Sequence, residues 1–246
     1  MHLGVLQTGK VNPSLAGQFE EYPRMFEDMY RAVDPGVHVT GFAAVDGEIP
    51  LDPHACEAWI VTGSKHGVYD DQPWIEPLKV FLREVRDAGV PLVGICFGHQ
   101  IMAEAFGGRA EKSDKGWGCG VHRYAVTAKP GWMGSAGAGF DMHAMHQDQV
   151  TALPEDAHVL ASSDFCPNAM LGYGDAEAPE AISIQPHPEF DADYMRAILE
   201  LRAGVAIPPD RAEPALDGLG APVDGLDFAR WSLDYIRQMQ ARRRAA

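Results

Sequence analysis

The octapeptide Val93-Gly94-Ile95-Cys96-Phe97-Gly98-His99-Gln100 limits what this chain can fold into more than any other stretch. It sets G-x-C-x-G between a short apolar run at 91–95 and a helical pattern at 97–106. The pattern stops at Gly107-Gly108, a natural helix C-cap. A cysteine flanked by glycines two residues either side, at a strand-to-helix junction, has the context of a nucleophile elbow. So tight a turn leaves no room for side chains at the glycine positions. It aims the cysteine outward at a helix N-terminus, where the dipole favours negative charge. The N–H of Phe97 then points to where an oxyanion forms. A buried structural thiol is the alternative for any free cysteine. Cys56, Cys119 and Cys166 lack the elbow context and read as packing residues.

Around the elbow, strand-like and helix-like patterns alternate. Strands are expected at 3–7, 37–42, 58–61 and 91–95. Helices are expected at 24–33, with Pro23 at the start, and at 74–88, where Ile75, Leu78, Phe81, Leu82 and Val85 keep helical spacing. This order predicts an α/β fold: a mainly parallel open sheet with helices on both faces. From about residue 118 to 184 strand-like runs dominate (121–126, 158–161, 181–185). These are expected to extend the sheet or form a small second one. A helix follows at 193–202. The chain divides into a domain at 1–203, a Pro/Gly/Ala-rich linker at 204–225 and a C-terminal helix at 226–246, which covers either its own sheet or a neighbour's.

A thiol nucleophile requires a base and a group to orient it. Gln185-Pro186-His187-Pro188-Glu189 follows the strand-like run at 181–184. In extended backbone, residues 187 and 189 face the same side, so Glu189 bonds one imidazole nitrogen and leaves the other for Cys96. The prolines keep the segment extended. The formal charge of −15 argues against nucleic-acid binding. No run of about 18 apolar residues suggests a membrane span. Four cysteines without a C-x-x-C pair, and no secretory pattern at the start, point to a reduced, cytoplasmic protein. His143, His146 and Asp148 form a weak metal-site candidate on a stretch that reads as strand and loop, and no metal is expected.

At Gly94 to Gln100 and at His187-Pro188-Glu189 the sequence resembles the class I, triad-type glutamine amidotransferases, and within them stand-alone proteins similar to the amidotransferase domain of GMP synthase. The likeness covers about residues 1–195. It implies a flavodoxin-like, seven-stranded-type core and a Cys96-His187-Glu189 triad. It also implies an oxyanion hole from Phe97 and the Gly63-Ser64 loop, and substrate contacts from Gln100, His146 and Asp148. The family's Gly-Gly-Pro loop is Thr62-Gly63-Ser64 here, and Met145 stands where the family has serine before His146. The implied reaction is attack of Cys96 on a γ-glutamyl carbonyl, then hydrolysis of the glutamyl thioester, with no cofactor. The residues after 205 are too few for a synthase domain. Two enzymatic readings therefore stay open: a glutaminase passing ammonia to a separate synthase subunit, or a self-sufficient γ-glutamyl peptidase. A degenerate fold serving as a binding or regulatory subunit is a third. An α/β-hydrolase is disfavoured, because its acid precedes its histidine in the chain.

Overall fold

The computed structural model describes residues 1–134 and 136–245. Eleven strands and six helices follow in the order β1 (His2–Leu6), α1 (Tyr22–Arg31), β2 (His38–Phe42), β3 (Ala58–Val61), α2 (Ile75–Asp87), β4 (Leu92–Ile95), α3 (Phe97–Ala105), β5 (Arg109–Lys112), β6 (Gly118–Val126), β7 (Gly139–His146), β8 (Asp148–Ala152), β9 (Ala157–Ser162), β10 (Met170–Gly174), β11 (Pro179–Ile184), α4 (Ala192–Arg202), α5 (Pro209–Asp217) and α6 (Gly225–Ala245).

Nine strands form one sheet in the order β2-β1-β3-β4-β11-β10-β9-β6-β7. The neighbours from β2 to β11 pair in parallel, and those from β11 to β7 are antiparallel. β5 and β8 make a separate antiparallel pair. The middle of the chain therefore does both things expected of it, extending the sheet and adding a small one. The sheet exceeds the seven-stranded core because β6 and β7 continue it beyond β9.

Alternation along the parallel strands explains the layering. Leu3, Val5, Ala58, Ile60, Val93 and Ile95 face a core shared with α1 and α6. Leu6, Trp59, Val61 and Leu92 face the opposite core, filled by α2 and α3. Burial on both faces is why these strands read as continuous apolar runs. The C-terminal helix covers its own sheet: the buried Tyr235 hydroxyl donates to the Glu180 carbonyl at 2.7 Å, and Trp231 stacks edge-on against Phe140.

The stretch 204–225, read as a linker, instead contains α5 and a 3-10 turn at Gly218–Gly220. Pro208 and Pro209 preset φ for a first helical turn. Ala212 and Ala215 are buried. Gly120, at φ 88°, lets α5 approach so closely that a side chain there would meet the Ala215 Cβ at 2.9 Å. Packing on β6 makes this helix, and its composition masks it.

Candidate active site

β3, β4 and β11 are adjacent in the sheet, with Val61 level with Gly94 and Ile95 level with Ile184. Their C-terminal ends therefore open at one edge, where parallel α/β sheets hold their sites. The segments leaving these ends are Thr62-Gly63-Ser64, Cys96 and Gln185-Pro186-His187. The register brings together three stretches that lie far apart in the chain.

Cys96 has φ 53° and ψ −102°, and is the only non-glycine residue with positive φ among the described residues. Such strain persists where the surroundings over-determine it. Here the Cys96 N–H donates to the Ile184 carbonyl at 2.9 Å, and its carbonyl accepts from Gln100 N–H at 3.1 Å. Both elbow glycines are sterically required. A Cβ on Gly98 would lie 2.3 Å from the Val61 carbonyl oxygen, and one on Gly94 would lie 2.4 Å from Met102 Sδ and 2.6 Å from the Gly98 oxygen. Gly98→Ala is expected to push α3 off β3 and to destabilise the fold by about 1–3 kcal/mol or more. Thermal unfolding checks this; an unchanged Tm would contradict the close approach. Phe97 opens α3, where the N–H has no intrahelical acceptor.

His187 is 4% exposed, and its N–H donates to the His143 carbonyl at 2.8 Å, which ties the segment to β7. Its Nδ1 lies 2.8 Å from Glu189 Oε1. Its ring stacks on Phe190 with centroids 4.0 Å apart and planes 5° from parallel. Burial alone pushes the imidazole pKa down, but the Glu189 carboxylate and the hydrogen-bonded Cys96 outweigh it and hold the pKa up, at about 10. A Cβ on Gly63 would sit 2.8 Å from His187 Cε1 and 3.6 Å from Cys96 Cβ. The Gly63-Ser64 loop therefore lies directly against the pair.

Two cavities meet at this point. One is lined by Cys96, Gln100, His146, Asp148, Lys112 and Trp117. In it the Gln100 amide donates to the Asp148 carbonyl at 2.9 Å and to Gln185 Oε1 at 3.1 Å. The buried His146 holds the same carbonyl through Nδ1 at 3.1 Å, and burial pushes its pKa down to about 3. Gln100 and His146 thus brace the β7–β8 turn as well as lining the cavity. Burial raises the Asp148 pKa, and a hydrogen bond from Tyr69 works against that rise. The second cavity, of about 490 Å³, lies on the His187 side between Val11, Tyr22, Phe190, Tyr194 and Ile198. Ser64, Lys65 and Arg202 border both. No group of three or more His, Cys, Asp or Glu among the described residues is placed to hold a metal ion.

Sequence reading missed Phe190, Tyr22, Tyr194 and Arg202. Phe190 directly follows His-Pro-Glu, and an aromatic there was the one available signal. The other three reach the site only by tertiary packing. None of the described helices is long and apolar enough to cross a membrane.

An elbow cysteine beside a histidine–carboxylate pair, at the C-terminal edge of a largely parallel sheet, is the arrangement of an amide-hydrolysing enzyme of the glutamine amidotransferase class. The chain belongs to the class-I glutamine amidotransferase family, whose model matches residues 54–201. It is 31% identical over 174 residues to gamma-glutamyl peptidase 4 of Arabidopsis thaliana, covering 68% of each chain. It is 34% identical over 146 residues to the GMP synthase of Chromobacterium violaceum, covering 56% of this chain and 26% of that one. The fold matches a glutamine amidotransferase structure from Thermotoga maritima with a TM-score of 0.72 and 20% identity, over 96% of this chain and 98% of the other.

Proposed function

We propose that the protein hydrolyses γ-glutamyl amides of bulky amines, acting alone in the cytoplasm. Cys96 is the nucleophile, His187 the general base and acid, and Glu189 the group that orients and charges the imidazole. The Cys96 proton passes to His187, and Sγ adds to the γ-carbonyl carbon. The oxyanion is met by the N–H groups of Phe97 and Ser64. The C–N bond breaks as His187 returns the proton to the leaving nitrogen. Water then cleaves the thioester, releasing glutamate and freeing the thiol. Gln100, His146 and Asp148 shape the cavity that receives the glutamyl part.

The cavity on the His187 side carries the choice of substrate. The leaving nitrogen departs towards the histidine, so its substituent occupies that side. Ammonia needs about the room of one water, roughly 30 Å³ in the liquid. The cavity there is about 490 Å³ and walled by Tyr22, Phe190, Tyr194 and Ile198. Those walls suit an apolar or aromatic substituent, and Lys65 and Arg202 suit a carboxylate on it. The likeness to a named γ-glutamyl peptidase agrees with this reading. The likeness to GMP synthase favours a second one, glutamine hydrolysis with ammonia passed to a separate synthase subunit. The test compares kcat/KM for γ-glutamylphenylalanine, γ-glutamylglycine and glutamine. Burying a phenyl ring contributes about 1.5–3 kcal/mol, so the phenylalanine compound is expected to exceed the glycine one by roughly 10- to 150-fold. Preference for glutamine would reject the bulky-amine reading in favour of the second.

A further inference from the structure

Thr8 and Thr62 are both fully buried at the C-terminal ends of β1 and β3, and neither belongs to the two cavities. Thr62 Oγ1 accepts from the Thr8 N–H at 3.0 Å. Its single proton then has two acceptors within reach, the Gly63 carbonyl at 3.1 Å and Thr8 Oγ1 at 3.2 Å. Thr8 Oγ1 lies between two carbonyls, 2.9 Å from that of Thr62 and 3.1 Å from that of Gly63. The Thr62 carbonyl is itself fixed, because it accepts from the Gly98 N–H of the elbow at 3.1 Å. On the same side, Gly9 packs so tightly that a Cβ there would lie 2.8 Å from the Gly63 oxygen and 3.1 Å from Ser64 Cα.

One face of the Gly63–Ser64 peptide is therefore gripped by hydroxyls and closed by backbone. The peptide is trans, so its N–H points opposite to its carbonyl. With the carbonyl held towards Thr8, the Ser64 N–H is directed away from Thr8, and the Gly63 Cα on that side abuts His187 and Cys96. A peptide free to rotate would have to be turned at each turnover, whereas donors fixed in advance need no reorganisation during reaction.

We propose that Thr8 and Thr62 are positioning residues that lock the Gly63–Ser64 peptide with its N–H facing the oxyanion, so that hydrolysis needs no partner to assemble the site. This rests on the Cys96 mechanism above and adds to it a pair of hydroxyls outside both cavities. The lock ties the oxyanion loop to the elbow through one carbonyl, Thr62, so the two halves of the hole keep a fixed spacing.

The experiment uses the full chain and γ-glutamylphenylalanine, with Thr8→Val/Thr62→Val as the test variant and Thr8→Ser/Thr62→Ser as the conservative one. Losing one oxyanion donor outright costs on the order of 10²–10³ in kcat. Loosening it is expected to lower kcat about 10- to 100-fold, with KM within about threefold. The serine variant keeps both hydroxyls and is expected to recover most of that loss. Cys96 alkylation by iodoacetamide, which needs no oxyanion, should proceed at the parent rate in both. A valine variant with parental kcat would overturn the lock while leaving the Cys96 mechanism standing. Parallel loss of kcat and alkylation in valine and serine variants alike would also overturn it, because collapse of the elbow rather than loss of the hydroxyls would then be the cause. A parent that alkylates at Cys96 but hydrolyses nothing without added partners would overturn partner-free assembly.

Discussion

Cys96→Ser is expected to lower γ-glutamyl hydrolysis by at least about 10³-fold while leaving the fold in place. The strained backbone at φ 53° is set by its neighbours, not by the thiol: the Ile184 carbonyl holds the N–H, and Gly94 and Gly98 leave the turn its room. Serine fits the same space. A hydroxyl, however, is a far weaker nucleophile than a thiol paired with an imidazole that already tends to hold a proton. Amine release measures the loss, thermal unfolding checks the fold, and intact-mass measurement looks for the glutamyl-enzyme that the variant should not form. Hydrolysis at the parental rate in the serine variant would remove Cys96 from the mechanism.

Glu189→Gln is expected to lower kcat/KM at neutral pH by on the order of 10²- to 10⁴-fold, with an accompanying change in stability against pH. Glu189 is the largest of the influences that, with Cys96, outweigh burial at His187 and hold its pKa near 10. A histidine whose pKa is raised on folding contributes stability that is complete below its unfolded value of about 6.5. That contribution is lost as pH climbs through the folded value. The parent should therefore lose stability between about pH 6.5 and 10. In the glutamine variant only Cys96 is left to oppose burial, so His187 holds its proton less readily and that part of the slope should flatten. Denaturant unfolding at a series of pH values reads the slope, and hydrolysis over the same range reads the base. Parental activity across the range would mean that Glu189 neither orients nor charges the imidazole.

Much of the candidate site was legible because its residues are tied to backbone geometry. Only glycine fits beside Val61 and Met102, so the elbow announced itself through Gly94 and Gly98. Two prolines around His187 marked a stretch held extended by its own chemistry. The strands were legible where burial on both faces made them uniformly apolar, as in β3 and β4. β7 and β8 were harder to find, since their alternation is broken by the His143 to Asp148 segment, whose residues turn inward to brace the site. The helix at 209–217 hid in a Pro- and Ala-rich stretch, because its stability comes from contact with β6 more than from its own propensity.

By itself the sequence determined the local chemistry: a thiol on a strained turn, a histidine two residues from a carboxylate, and apolar runs that must be buried on both faces. These depend on neighbours in the chain, where spacing fixes direction. The tertiary structure alone decided what those groups meet. Sheet order set β3, β4 and β11 side by side and brought Gly63 against His187. The docking of α1 and α4 placed Tyr22 and Tyr194, with Phe190 just ahead of α4, around the cavity on the His187 side. Two buried threonines just beyond β1 and β3 came to share one carbonyl. Such contacts join residues tens to more than a hundred positions apart, and they are fixed by packing that no local pattern encodes.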